Sequence, residues 1–177
     1  MKIRLIYLTI LLSLFSSPAM GDLLVDDMQL LGKGTAHYLR FIKVYDASLY
    51  TKEAVHDQDI LSGDISKCLF LHYAVSVGRD DFIKAADTVL ARQFTAEERS
   101  GVQQEIDSLH KAYVDVADGD IYSLCYDRST GRTTLSLNSK ELATIDSGQF
   151  AKIYFSIWLG ETDPLDESLR DSLLARM

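Results

Sequence analysis

The spacing of apolar residues changes along this chain in blocks, not in alternation. Residues 36–50 and 67–77 are rich in aromatic and β-branched types, which favours extended backbone over helix. The spacing then becomes helical, with Phe82, Ala85, Ala86, Val89 and Leu90 followed by Val102, Ile106, Leu109 and Tyr113. Short strand-like runs return at 121–126, 133–137 and 142–145. Two helical stretches close the chain: Phe150, Ile153, Tyr154, Ile157 and Trp158 share one helical face, and Leu165, Leu169 and Leu173 recur every fourth residue. Strands grouped apart from helices exclude the strand–helix alternation of a parallel sheet. The pattern implies an α+β fold, an antiparallel sheet covered on one side by helices.

Local signals set the expected boundaries. Asp80 and Asp81 are expected to cap a helix start, and Thr95 with Glu98 three residues later forms a capping-box pattern. Val102 to Tyr113 continue the apolar stripe past Gly101, which leaves two readings there, one continued helix or two helices divided at Gly101. Residues 127–132 and 138–140 are turn material between adjacent antiparallel strands. Gly160 stops one helix, and Pro164 precedes the last. Gly32 and Gly34 mark a tight entry to the first strand or a close approach of backbone.

The first 21 residues read as an address. Lys2 and Arg4 precede an apolar run from Leu5 to Phe15 in which only Thr9 and Ser13 are polar. Ser16, Ser17 and Pro18 break the run, and Ala19-Met20-Gly21 supplies small residues at a cleavage site before Asp22. This is the order of a secretory signal peptide, with an uncleaved membrane anchor as the other reading. Residues 22–177 would then form one domain, periplasmic or secreted. No later stretch reaches the roughly 20 apolar residues that a membrane span requires.

Charge and motifs exclude several functions. With 18 basic against 26 acidic residues the formal net charge is −8, which opposes binding to nucleic acid. There is no Gly-x-Ser-x-Gly elbow, phosphate loop or His-Glu-x-x-His. The four histidines, His37, His56, His72 and His110, lack metal-ligand spacing, and neither a metal nor a cofactor is implied. Cys68 and Cys125 both lie in strand-like runs. Export would let them form a disulfide; otherwise they are two buried thiols.

The 36–50 segment carries the chemical lead. On one continuous strand, alternate side chains share a face. His37, Leu39, Phe41, Lys43 and Tyr45 would then line one surface, an apolar floor with an imidazole, an ammonium and a phenol. Such a mixture suits a small ligand. The competing reading leaves Lys43 at a sheet rim with its ammonium in water.

Gly32-Lys33-Gly34 and Phe41-Ile42-Lys43-Val44-Tyr45-Asp46-Ala47-Ser48-Leu49-Tyr50 resemble the opening strands of the chalcone isomerase-like family. Phe155-Ser156-Ile157-Trp158-Leu159-Gly160, followed by Pro164 and Leu169, resembles its C-terminal helix pair. Gly119-Asp120-Ile121-Tyr122 and Gly148-Gln149-Phe150-Ala151 are similar to its bacterial exported branch. The resemblance implies an antiparallel sheet backed by helices, in a family that includes plant chalcone isomerases and fatty-acid-binding proteins. The family's ligand-binding arginine falls here on Ala36 or His37, and alternation aims Arg40 away from Tyr45. Tyr45 matches the tyrosine that fatty-acid-binding relatives place near the ligand head group. Lys43 lies near the threonine of the catalytic members, and Phe82 stands where they use a tyrosine. The resemblance therefore implies a non-catalytic protein that binds a small apolar or fatty-acid-like ligand through Tyr45, Lys43 and His37. The alternatives are an isomerase (intramolecular lyase) acting on a chalcone-like substrate, or a structural or partner-binding domain with no ligand.

Overall fold

A computed structural model describes residues 27–39, 41–55 and 60–175 of the chain. The expected signal peptide, Arg40 and His56 lie outside the described residues. Six strands form one antiparallel meander in chain order. They are β1 (Gln29–Tyr38), β2 (Ile42–Thr51), β3 (Lys67–Tyr73), β4 (Ile121–Asp127), β5 (Arg132–Leu137) and β6 (Lys140–Asp146). Helices α1 (Arg79–Gln93), α2 (Ala96–Ser100) and α3 (Gln103–Ala112) form an excursion between β3 and β4, and α4 (Gly148–Leu159) and α5 (Glu167–Leu173) follow the sheet. The α+β class and the one-sided helical cover are those implied by the sequence blocks.

Most boundaries follow local chemistry. Thr95 and Glu98 form the reciprocal capping box at α2, and the break at Gly101 and Val102 separates α2 from α3. The Ser147 and Asp166 side chains accept from the N–H groups of Phe150 and Leu169, opening α4 and α5. Leu165 therefore precedes α5. Asp80 and Asp81 do not cap α1. They sit in its first turn behind Gly78, and the Arg79 N–H donates instead to Asp115 Oδ1 at 2.8 Å.

The 36–50 segment is not one strand. The chain reverses between β1 and β2 with Leu39 at φ 52°, and His37 and Lys43 face each other across the hairpin. Ala36 pairs with Tyr45 and His37 with Lys43, so Val44 is an extra residue and the side-chain alternation resets there. The shared face of His37, Lys43 and Tyr45 is lost for this reason.

Inward-facing Tyr45, Ala47 and Leu49 of β2, Leu69, Leu71 and Tyr73 of β3, and Tyr122, Leu124 and Tyr126 of β4 build the core floor. Every residue of α4 from Phe150 to Leu159 except Lys152 is buried, so this helix lies inside the helical layer, apolar on all sides. At the sheet's edge α5 packs on β1, where Gly32 and Gly34 leave room for its backbone and for Leu169. These glycines lie within β1 and permit the close approach.

Lys67 is fully buried at the start of β3. Its ammonium donates to the carbonyls of Ser62 at 2.9 Å and Ile65 at 3.0 Å, and lies over the rings of Tyr126 and Phe155. Burial pushes its pKa down to about 8, and Glu53 opposes the shift.

Candidate functional site

A cavity of about 820 Å³ lies between the inner face of the sheet and the helices. Its size is in the range of small-molecule sites. The sheet contributes Tyr45, Leu71, Tyr73, Tyr122, Leu124 and Leu135 to its walls. Phe82, Ala85 and Ala86 of α1 and Tyr154, Ile157 and Trp158 of α4 close the other side, with Tyr113 after α3.

The aromatic rings form one connected cluster. Tyr73 stands edge-on to Tyr45 at 5.4 Å and to Phe82 at 5.6 Å between centroids. Phe82 in turn contacts Tyr113 at 5.4 Å and Tyr122 at 5.5 Å. Edge-to-face packing of this kind holds large side chains in fixed positions.

The hydroxyls on these rings differ in what they have left to offer. Tyr122 is saturated: its hydroxyl donates to the Val114 carbonyl and accepts from the Val114 N–H, each at 2.9 Å. Tyr45 accepts from Trp158 Nε1 at 3.2 Å, which leaves its own proton free to donate. Tyr113 and Tyr154 share one hydrogen bond at 2.8 Å, so one proton of that pair is also free. The Tyr73 hydroxyl makes no hydrogen bond among the described residues, although the residue is buried beside three other phenols. Burial raises the pKa of Tyr45, Tyr73, Tyr113 and Tyr154, so these groups are neutral donors at ordinary pH.

Ionisable groups lie at the margin. Lys84 and His37 line the cavity but are exposed, and Asp81 and Asp166 accompany them. Behind the aromatic wall His110 is buried against Tyr113 and Tyr154, both at 6.0 Å between rings, and burial depresses its pKa. No cluster of three metal-ligating side chains occurs among the described residues.

Of the residues singled out in the sequence, Tyr45 is in the cavity wall and His37 is at its rim. Lys43 is absent from the lining. Its exposed ammonium donates to Asp46 Oδ2 at 2.6 Å, and Asp46 also accepts from Thr35 Oγ1 at 2.8 Å. That pairing holds the Asp46 carboxyl below its usual pKa, with the Lys43 bond the largest cause. Phe82 faces the cavity and brings no hydroxyl. Tyr73, Tyr113, Tyr122, Tyr154 and Trp158 were not singled out as site residues. For Tyr73 the alternation Leu69, Leu71, Tyr73 was the available signal. The others come together only through the fold. Cys68 and Cys125 occupy directly opposed positions on β3 and β4, with Cα atoms 4.0 Å apart, and are disulfide-bonded in the structure.

Comparison with known proteins places these features in a family. No curated protein matches the sequence. Among solved structures, the crystal structure of the fatty-acid binding protein AtFAP1 of Arabidopsis thaliana is similar, with a TM-score of 0.63 at 19 % sequence identity. The match covers 84 % of this chain and 87 % of that one. The family model described as chalcone isomerase-like matches residues 19–175. The meander, its helical cover and nearly the whole length of the sequence thus agree, and the chain belongs to the chalcone isomerase-like family.

Proposed function

We propose that this protein is a non-catalytic carrier of a small apolar or fatty-acid-like ligand, held in the cavity between the sheet and α1 and α4. The observation that supports this reading is the lining itself. Aliphatic and aromatic side chains form the walls, while Tyr45, Tyr73 and the Tyr113–Tyr154 pair offer neutral O–H donors. A carboxyl or carbonyl head group would accept from these phenols, and an apolar chain would fill the rest. Similarity to a fatty-acid binding protein supports the same ligand class. The lining suits holding a ligand better than driving ring closure. The basic side chains at the cavity, Lys84 and His37, are exposed, and Phe82 has no hydroxyl, so no buried cation of the lining is aimed at a negative charge developing inside.

The leader-like first 21 residues support an exported protein, acting in the periplasm or outside the cell, where the Cys68–Cys125 bond would persist.

Trp158 is the sole tryptophan and lines the cavity, so it reports on occupancy. Titration with dissolved decanoate is expected to change its emission and raise the melting temperature together, since a ligand of the folded state alone stabilises it. Unchanged emission and melting across decanoate and longer fatty acids would refute the fatty-acid reading. Turnover of a chalcone-like substrate would favour the isomerase instead.

A further inference from the structure

We propose that the β1–β2 hairpin tip is a membrane-docking element, which inserts into the surface of a phospholipid bilayer beside the mouth of the cavity. This inference rests on the ligand-binding reading for its purpose, but its observations are separate.

A hairpin turn in water ordinarily carries Gly, Asn or Asp, which tolerate positive φ and solvate the reversal. Here Tyr38, Leu39, Phe41 and Ile42 surround the turn, with exposures from 42 % to 75 %. Leu39 takes φ 52°, a conformation that a leucine adopts at some cost and that asparagine or glycine would take more easily. None of the four belongs to the core, so folding does not account for them. Four large exposed apolar side chains around one turn mark an interaction surface.

The position of the turn identifies the occupant. Tyr38 and Ile42 are both exposed and both line the cavity, as does Leu165, 36 % exposed, in the segment before α5. The apolar surface at the turn thus adjoins the cavity lining through Tyr38 and Ile42. An apolar ligand could follow it from a bilayer to the cavity without crossing water.

Charge selects the mode of contact. The chain carries a net charge of −8, which opposes electrostatic adsorption to anionic lipid. No Asp or Glu occurs from His37 to Tyr45, so insertion of the tip desolvates no carboxylate of that segment, and its two cations, Arg40 and Lys43, have long stems that let a charged head stay among the lipid head groups. Contact is therefore apolar, and a zwitterionic surface suffices.

The test is flotation of the purified protein with phosphatidylcholine vesicles, alongside a Leu39→Asn, Phe41→Asp double variant. Both substitutions lie outside the core, and asparagine suits the Leu39 backbone, so the variant is expected to melt at or above the parent's temperature. The parent should float with the vesicles in low and high salt, and the variant should partition at least about tenfold less. Dissolved decanoate should stabilise both proteins equally, because the two substituted residues do not line the cavity. Equal flotation of parent and variant, or flotation of neither, overturns the proposal. If decanoate still stabilises the protein in that case, only docking fails and the carrier reading stands. Tip-dependent flotation without stabilisation by decanoate or longer fatty acids supports docking and removes the fatty-acid reading. A parent that ignores vesicles but forms a dimer dispersed by the double variant shows a self-association surface, and docking is wrong.

Discussion

Replacing Gly32 with alanine drives a methyl group into the backbone of α5. A Cβ built there meets the Leu173 carbonyl oxygen at closer than van der Waals contact, and the Leu173 carbonyl carbon and Ser172 oxygen at 2.5 Å. Backbone cannot rotate aside as a side chain does, so α5 must move off β1 or the strand must bend. Overpacking of this kind typically costs 1–3 kcal/mol, and the backbone obstacle puts Gly32→Ala at about 3 kcal/mol. Gly34→Ala meets Leu169 Cδ1 at 2.7 Å and Ser172 Cβ at 2.9 Å, groups that can yield, so about 1 kcal/mol is expected. Gly63→Ala meets only the Tyr126 hydroxyl, at 3.5 Å, and serves as the neutral control. Urea unfolding followed by circular dichroism reads the series. With a slope of about 2 kcal/mol/M, Gly32→Ala should lower the midpoint by about 1.5 M and Gly34→Ala by about 0.5 M. A Gly32→Ala midpoint within error of the control, or a Gly34→Ala loss exceeding that of Gly32→Ala, refutes the close-approach explanation.

Other perturbations test other parts of the structure. Lys67 has a folded pKa of about 8 against 10.5 for a free lysine, so between those values the unfolded chain binds more protons and the unfolding free energy must rise with pH. That rise, seen by urea midpoints between pH 8 and about 10, should vanish in Lys67→Met. Above about pH 10 the buried tyrosines, whose folded pKa values are raised, reverse the trend in both proteins. Tyr73→Phe should leave the melting temperature nearly unchanged, because its hydroxyl makes no hydrogen bond among the described residues, yet weaken decanoate binding by about fivefold in a Trp158 titration. Tyr45→Phe should cost about 1 kcal/mol of stability through loss of the Trp158 partner. Opening the Cys68–Cys125 bond with reductant should cost about 4 kcal/mol, since it closes a separation of 57 residues. Two free thiols in the denatured, unreduced protein would remove that expectation.

The fold was legible because periodicity is dictated by burial. Blocks of strand spacing and helical spacing have one economical arrangement, and the capping box at Thr95 and the break at Gly101 agree with it in detail. The hairpin was not legible because its turn carries no turn chemistry. Tyr38, Leu39, Phe41 and Ile42 read as strand residues, and only the fold reveals that Leu39 reverses the chain. The same irregularity governs which side chains reach the site. Uninterrupted alternation would place Lys43 on the cavity face with Tyr45, whereas the structure leaves its ammonium exposed and paired with Asp46, in keeping with the sheet-rim reading. Tyr45 kept its place because the alternation it shares with Ala47 and Leu49 begins after the irregularity. The remaining phenols arrive from β3, β4, α4 and the segment after α3, and no local pattern announces a convergence of separate elements. The acidic residues of the 80–81 pair show the same limit on a smaller scale, since Asp115, 36 residues from Arg79, does the capping.

The opposed cysteines have a topological consequence. Residues 74–120, including all of α1 to α3 and Tyr113, leave the sheet after β3 and re-enter it at β4, the adjacent strand. That segment supplies part of the cavity's roof but no strand of its floor. Displacing it outward breaks no pairing between the six strands, because β3 and β4 stay paired to each other beneath it and the Cys68–Cys125 bond links those two strands. The chamber can thus be unroofed on that side while its floor stays whole, a hinged arrangement set by connectivity alone.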